Sequence, residues 1–200
     1  MKLMKLQVAV TLWIYSAFSG PAAGWEIPSF CHGYDCPEFT LVQQYEGFEE
    51  RFYNASHWIT VDIPSMTEND VKNGCWTLHH YTKGKNDRNE DIQLPWPVII
   101  SVQEGTMTQV SVSMPVPPST DLPKPDDESI RETNMPAGRV YVRTFTGVAS
   151  LDDGFDNRNK LKASLEAAGK QFVQYKFVAA GYDSPWTLIN RHNEIWIYAA

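Results

Sequence analysis

The order of the predicted strands and helices repeats once along the chain, and this repeat limits the folds open to it. In the first half, a strand is predicted over residues 47–63, a helix over 68–81, and strands over 96–103 and 108–114. In the second half, a strand is predicted over 138–145, a helix over 151–168, and strands over 175–180 and 194–198. The strand segments are dense in β-branched and aromatic residues, which favour extended backbone. Two copies of strand–helix–strand–strand predict an α+β fold, with one antiparallel sheet and the two main helices packed on it. A closed or curled sheet would hide its edges.

Both predicted helices have capping signals at their first residues. Thr67 is placed to cap the first helix, with Asp70 three residues further on. Ser150 and Asp153 stand in the same relation at the start of the second helix. Gly74 lies inside the first helix, where glycine costs roughly 1 kcal/mol relative to alanine. Between the two halves, residues 115–127 contain five prolines and several acids, which predicts an extended connector.

The first 24 residues have the pattern of a secretory signal peptide. Lys2 and Lys5 precede an apolar run over residues 6–18, and the small residues Ala22-Ala23-Gly24 follow it. The run is shorter than the stretch of about 20 apolar residues that spans a bilayer. A buried N-terminal helix is the alternative. We expect cleavage after Gly24 and a secreted, extracellular protein of about 176 residues, enough for one domain with a sizeable core.

Secretion changes what the remaining residues imply. Residues 1–24 hold two lysines and no acids, so their removal moves the net charge from −7 to −9, which argues against nucleic acid and anionic membranes as partners. In an oxidising compartment Cys31 and Cys36 predict a disulfide across a short loop, which leaves Cys75 unpaired. Asn54 opens the sequon Asn54-Ala55-Ser56 and is the predicted glycosylation site. We expect no membrane insertion, and a monomer.

Residues 177–198 read FVAAGYDSPWTLINRHNEIWIY, two strand-like ends around a turn that carries Trp186. Within them Ala180-Gly181-Tyr182, Pro185, Arg191 and Asn193-Glu194-Ile195-Trp196 resemble the terminal signature of the SOUL haem-binding protein family. Three earlier blocks also resemble family segments: Tyr81-Thr82-Lys83-Gly84-Lys85-Asn86, Leu94-Pro95-Trp96-Pro97-Val98 and Val142-Arg143-Thr144-Phe145-Thr146-Gly147. The resemblance covers residues 45–198, so we assign 45–200 to a SOUL domain and 25–44 to an N-terminal extension with the Cys31–Cys36 disulfide.

The resemblance implies a distorted antiparallel barrel built from two related halves. It also implies binding of haem or a related porphyrin, without enzyme chemistry, in an apolar depression beside the first helix. In the family this helix faces the bound ring, which makes His79 the candidate iron ligand and Lys72 or His80 candidate partners of the propionates. Cys75 and Trp76 on the same helix, and Trp186 in the later turn, complete the candidate cofactor site.

Each candidate side chain also has a purely structural explanation. Trp76 and Trp186 are large enough to be packing residues, and His79 and His80 are compatible with a solvated helix face. Cys75 is compatible with a small buried hydrophobe.

The chain departs from the family at one position. Some members carry a histidine in an Arg-His-Tyr triplet of the first strand, where this chain has Arg51-Phe52-Tyr53. The family route to axial ligation is therefore absent. His57 lies five residues further along and does not inherit that role.

An enzyme is the least supported class of protein. Cys75 with His79, or the His79-His80 pair, offers a nucleophile and a base or two metal ligands, but neither has a third partner at a diagnostic spacing. The sequence contains no G-x-S-x-G, H-E-x-x-H or C-x-x-C motif and no glycine-rich phosphate loop. We expect a non-covalent haem or porphyrin binder that buffers or scavenges extracellular haem. The alternative is a secreted interaction module, or a carrier of another apolar ligand, in which the haem site is lost.

Overall fold

The computed structural model describes residues 25–184, 187 and 189–200, so the predicted signal peptide (1–24) and Trp186 lie outside the described residues. The described residues form one antiparallel sheet of nine strands and two helices. The strands are β1 (Phe39–Tyr45), β2 (Phe48–Tyr53), β3 (Ser56–Ile63), β4 (Val98–Gln103), β5 (Gln109–Val116), β6 (Ile130–Met135), β7 (Gly138–Thr146), β8 (Lys176–Gly181) and β9 (His192–Tyr198). The helices are α1 (Glu68–Thr82) and α2 (Leu151–Ala167), and neither has the length and apolar character that crossing a membrane requires. The predicted α+β class with a curled, barrel-like sheet is confirmed.

The two halves of the chain share the sheet by exchanging strands. The order across it is β1-β2-β7-β9-β8-β4-β5-β3-β6. This order is symmetric about the junction of β8 and β4, because β7, β9 and β8 mirror β3, β5 and β4. The next strand on each side comes from the other half: β2 pairs with β7, and β6 pairs with β3. The halves therefore build one sheet together.

Several strand boundaries differ from the predicted ones. The strand predicted over 47–63 is two strands, because Asn54 and Ala55 separate β2 from β3. The predicted connector begins later than residue 115, since β5 runs to Val116. β1 and β6 lie outside the predicted strands. Through β1, residues 39–44 of the predicted extension pair with β2 and join the sheet.

Both helices pack on one face of the sheet, which we call the helix face. α1 lies over β3 and β5, and α2 lies over β7 and β9. Leu78 and Tyr81 of α1 and Leu161 and Leu165 of α2 meet the apolar strand residues in one buried cluster. Burial of this apolar surface is the main favourable contribution to folding.

Gly74 sets how closely α1 approaches the sheet. A Cβ atom at this position would lie 2.8 Å from Cγ2 of Ile63 and 2.8 Å from Cγ2 of Val112. A residue with a side chain does not fit this gap without displacing β3 or β5. The glycine that weakens the helix interior is therefore the one that lets α1 lie against the strands.

The opposite face of the sheet is partly covered by residues 25–38, which we call the N-terminal segment. The predicted disulfide is present in it: Cys31 and Cys36 are bonded, with their Cα atoms 6.0 Å apart. Both cysteines are buried and pack in a second apolar cluster with Trp58, Tyr182 and Trp196. The disulfide loop is therefore part of the packing of the domain.

Candidate functional site

α1 presents a ring cluster, Trp76, His79 and His80, on its surface away from the core. Trp76 is 43% exposed, and both histidines are exposed. The Trp76 ring centroid lies 5.1 Å from that of His79 and 5.7 Å from that of His80. The helix brings these rings together because residues three and four apart are neighbours on its surface. For the same reason Lys72, one turn before Trp76 and also exposed, lies on the same side.

Cys75 stands apart from the ring cluster. Its side chain is half-buried and packs against the core beneath the helix. Burial raises the pKa of the Cys75 thiol, which disfavours the thiolate form needed in an iron ligand or a nucleophile. The structure therefore places Cys75 at the edge of the core and His79 in solvent.

A depression of about 560 Å³ opens beside α1 on the side of His80. Its walls come from the helix, the turn after it and the connector between β5 and β6: Thr77, His80, Tyr81, Lys85, Asp126, Asp127, Glu128 and Ile130. The Tyr81 hydroxyl holds the connector by donating to the carbonyl oxygen of Pro123 at 2.8 Å. The acidic connector residues give this wall a negative potential, which repels carboxylate groups.

The other positions considered from the sequence lie on strands or outside the described residues. Phe52, at the position of the family histidine, is partly exposed on β2. His57 on β3 has its Nε2 atom 2.8 Å from a carboxylate oxygen of Glu132. Trp186 is not among the described residues. Within the described ranges, no group of three or more His, Cys, Asp or Glu side chains is arranged to hold a metal ion.

A buried ion pair on the opposite face connects several of the sequence blocks quoted above. Arg51 Nη1 donates to Glu194 Oε1 at 2.9 Å, and both side chains are buried. Glu194 Oε2 accepts from the Tyr182 hydroxyl at 3.0 Å and from Trp196 Nε1 at 2.6 Å. His192 Nε2 lies 2.8 Å from Glu194 Oε1. Residues far apart in the chain therefore meet in one network.

The network keeps Glu194 ionised. Burial alone raises the pKa of the Glu194 carboxyl, but the hydrogen bond from His192 and the charges of Arg51 and His192 bring that pKa below its usual value. Burial also raises the pKa of Tyr182 well above its usual value, so its hydroxyl remains a donor to the carboxylate. A carboxylate with this many partners has little capacity left for a ligand, and we assign the network to folding.

The N-terminal segment and β1 cover this network with aromatic rings. The Phe30 ring stacks on the His192 imidazole, with centroids 4.0 Å apart and 5° between the planes. The Arg51 guanidinium carbon lies 4.3 Å from the Phe39 ring centroid. One sequence signal points to this network: Glu194 directly precedes the apolar run Ile195-Trp196-Ile197, and a buried carboxylate requires a cation.

Comparison with known proteins extends the resemblance beyond the quoted motifs. The model of the SOUL heme-binding protein family matches residues 34–198, which include β1. The chain is 28% identical to heme-binding protein 2 of Homo sapiens over 172 residues, covering 82% of this chain and 83% of that protein. It is 27% identical to heme-binding protein 1 of Xenopus laevis over 156 residues, covering 74% of this chain and 82% of that protein.

Solved structures with little sequence similarity share the fold. The EcmrR C-terminal domain superposes with a TM-score of 0.58 at 11% identity, covering 76% of this chain and 96% of that chain. An uncharacterized conserved protein from Listeria innocua superposes with a TM-score of 0.51 at 11% identity, covering 76% and 92%. At such identities the likeness concerns the fold alone. Because the family model covers most of its sequence, the chain belongs to the SOUL heme-binding protein family.

Proposed function

We propose that the protein binds haem or a closely related tetrapyrrole at the exposed face of α1, as a monomer, without covalent attachment and without catalysis. The observation that carries the proposal is the ring cluster on this helix in a chain of the SOUL family. A porphyrin binds to a flat apolar surface, and an imidazole nitrogen is one of the side-chain ligands that can hold its iron. Trp76 offers the surface, and the adjacent imidazoles offer the nitrogen.

The charged residues near α1 determine the proposed orientation of the porphyrin on the helix. Haem propionates bind cations, and the acidic wall formed by residues 126–128 repels them. Lys72 lies one turn before Trp76 on α1 and does not line the depression to which that wall belongs. The proposed orientation therefore turns the propionates towards Lys72, lays the ring on Trp76 and uses His79 as the axial ligand. Trp186 stays a predicted wall residue.

A haemin titration followed at the Soret band tests this site, using protein that begins at residue 25. The informative variants are His79→Ala, His80→Ala and Trp76→Leu. His57→Ala is the matched control, because His57 lies on β3, 2.8 Å from Glu132, in a different element. We expect saturable one-to-one binding that His79→Ala weakens by about tenfold or more and shifts in Soret position. His57→Ala should leave both the affinity for haemin and the Soret position unchanged.

Two other outcomes contradict parts of the proposal. Saturable binding that none of the three α1 variants alters would move the tetrapyrrole away from this helix. A weak, non-saturating response equal to that of an unrelated protein would contradict haem binding itself. The protein would then be a SOUL-fold interaction module or a carrier of another apolar ligand.

We propose further that the protein acts outside the cell, where it buffers or scavenges haem. The pattern of residues 1–24 supports secretion, and disulfides such as Cys31–Cys36 persist in oxidising compartments. Asn54 is exposed between β2 and β3, as a glycosylation site must be.

Expression of the full chain in cultured animal cells tests secretion and glycosylation together. We expect the protein in the medium, with Trp25 as its first residue. An N-glycosidase should reduce its apparent mass, and Asn54→Gln should abolish that change. Retention of the protein inside the cells would contradict secretion, and an unchanged mass would contradict glycosylation alone.

A further inference from the structure

A second concave site lies on the opposite face of the sheet, beside the part that the N-terminal segment covers. It is a groove of about 330 Å³ over β3, β4, β5 and β6 that reaches Lys176 at the start of β8 and Tyr198 at the end of β9. This volume suits a small organic molecule. The sheet separates the groove from α1, because that helix packs on the helix face.

The lining of the groove combines apolar side chains, such as Trp58 and Ile99, with a row of hydroxyl groups, and part of that row lacks internal partners. Alternate residues of a strand point to the same face, and here they include several hydroxyl side chains. The Thr60 hydroxyl bonds those of Ser113 and Thr133, at 2.8 Å and 2.7 Å. Ser101 and Ser111 face each other across β4 and β5 and are half-buried. Their hydroxyls make no hydrogen bond to any described residue, so they remain available to a ligand.

A lysine without a carboxylate partner borders these hydroxyls. Lys176 is half-buried, and its Nζ atom lies 4.6 Å from the Tyr198 ring centroid. Within the described part of the chain it forms no salt bridge. The groove also holds Asp62 and Arg131, which neutralise each other at 2.7 Å. The groove is therefore positive in a protein whose net charge is −7.

We propose that this groove binds a small hydroxylated carboxylate, of the class of sugar acids. Lys176 would bind the carboxylate, since a charge-assisted hydrogen bond is among the strongest polar contacts. Ser101 and Ser111 would bind hydroxyl groups, since each can donate and accept. A flat apolar macrocycle fits poorly here because it would leave both serine hydroxyls without partners. The proposal is independent of haem binding at α1.

Titration with D-glucuronate, followed by calorimetry and by amide NMR shifts, tests the groove, with D-glucose as the neutral analogue. Lys176→Met removes the charge and keeps an unbranched side chain one atom shorter, and Ser101→Ala removes one hydroxyl. Lys160→Met is the matched control, because Lys160 is exposed on α2 and pairs with Asp156 at 2.6 Å. We expect saturable binding of glucuronate, about tenfold or more weaker for Lys176→Met and for glucose. Shifts should concentrate in β4, β5 and β8.

The proposal is wrong if glucuronate fails to saturate wild type, or if Lys176→Met behaves like Lys160→Met while both melt cooperatively. Equal affinity for glucose would overturn the anionic ligand class. A final arm repeats the titration on protein saturated with haemin. Retained glucuronate binding supports two separate sites, whereas competition would identify the groove with the haem site and overturn their independence.

Discussion

Glu194 is a carboxylate with 0% exposure, and its neighbours decide whether such burial is tolerable. Removing a carboxylate and a guanidinium from water costs several kcal/mol each, which pairing offsets only when the remaining polar atoms are also satisfied. Arg51, Tyr182, Trp196 and His192 together satisfy this carboxylate. The loss of one member therefore leaves the others buried without full compensation.

We predict that Arg51→Met lowers the free energy of unfolding by about 3–5 kcal/mol, because it leaves the Glu194 charge buried and unpaired. Glu194→Gln should cost less, since Glu49 continues to pair with Arg51 at 2.7 Å. The double variant should recover part of the loss, because both members of the ion pair are then neutral and no unpaired Glu194 charge is buried. Urea denaturation of the four proteins measures this coupling. Strictly additive losses would show that the pair is not coupled.

The same carboxylate predicts a pH dependence of stability. The folded state holds the pKa of Glu194 below its usual value, so the folded protein binds fewer protons than the unfolded chain. The stability from this group is therefore present above the unfolded pKa of about 4.3 and is lost as the pH falls through the folded pKa. We expect the difference in unfolding free energy between wild type and Glu194→Gln to shrink between pH 6 and pH 3. A difference that stays constant over this range would contradict the lowered pKa of Glu194 in the folded state.

Whether the sequence predicts that two side chains are in contact depends on how many residues separate them in the chain. Trp76 and His79 were predictable neighbours, because the helix fixes side chains three residues apart on one surface. Arg51 and Glu194 are 143 residues apart, and only the exchange of strands between the halves brings them together. No local pattern encodes such a pair, although an acid within an apolar strand indicates that a partner exists.

Among the elements, β6 shows why some strands escape prediction. Its sequence, IRETNM, is mostly polar, and only Ile130 is fully buried. A strand at the edge of a sheet needs few apolar contacts and benefits from charged residues that discourage association. β6 is a strand because its backbone pairs with β3 from Ile130 to Met135. The central strands β5 and β9 bury most of their residues. The strands β4, β5, β7 and β9 were all predicted within two residues at each end.

For α1, we predict that Gly74→Ala lowers the free energy of unfolding by about 1–3 kcal/mol, although alanine is the better helix former. The new methyl group would meet Ile63 and Val112 at 2.8 Å, and both neighbours belong to strands that cannot shift independently. Thermal and urea denaturation measure the change.

Gly154→Ala in α2 is the matched control for this prediction. A Cβ atom there would have no neighbour within 4 Å, so the helix preference for alanine should act alone and raise stability by at most about 1 kcal/mol. If Gly74→Ala stabilised the protein to a similar degree, the close approach of α1 to the sheet would be refuted.

In the whole molecule, two exchanged strands, β2 and β6, join the two halves of the chain. The repeat in the sequence gives these halves the same order of elements. β2 and β3 are separated by two residues, yet they lie far apart in the strand order, and each pairs on one side with a strand of the second half. The repeat in element order was visible in the sequence, but the exchange was not, because both arrangements satisfy the same local patterns. The exchange also makes folding depend on long-range contacts, which form late and at high entropic cost.

We predict that residues 25–128 and 129–200, expressed separately, do not fold. The first fragment lacks β7 and β6, which flank β2 and β3, and the second lacks the strands that bury the helix face beside β8. Far-UV circular dichroism and amide NMR of each fragment should show unfolded or aggregated chains, and mixing them should restore dispersed signals in proportion to complex formation. A dispersed spectrum from either fragment alone would mean that one repeat holds a sufficient core without its exchanged strands. The halves would then be independent units that associate, and the sheet would be their interface.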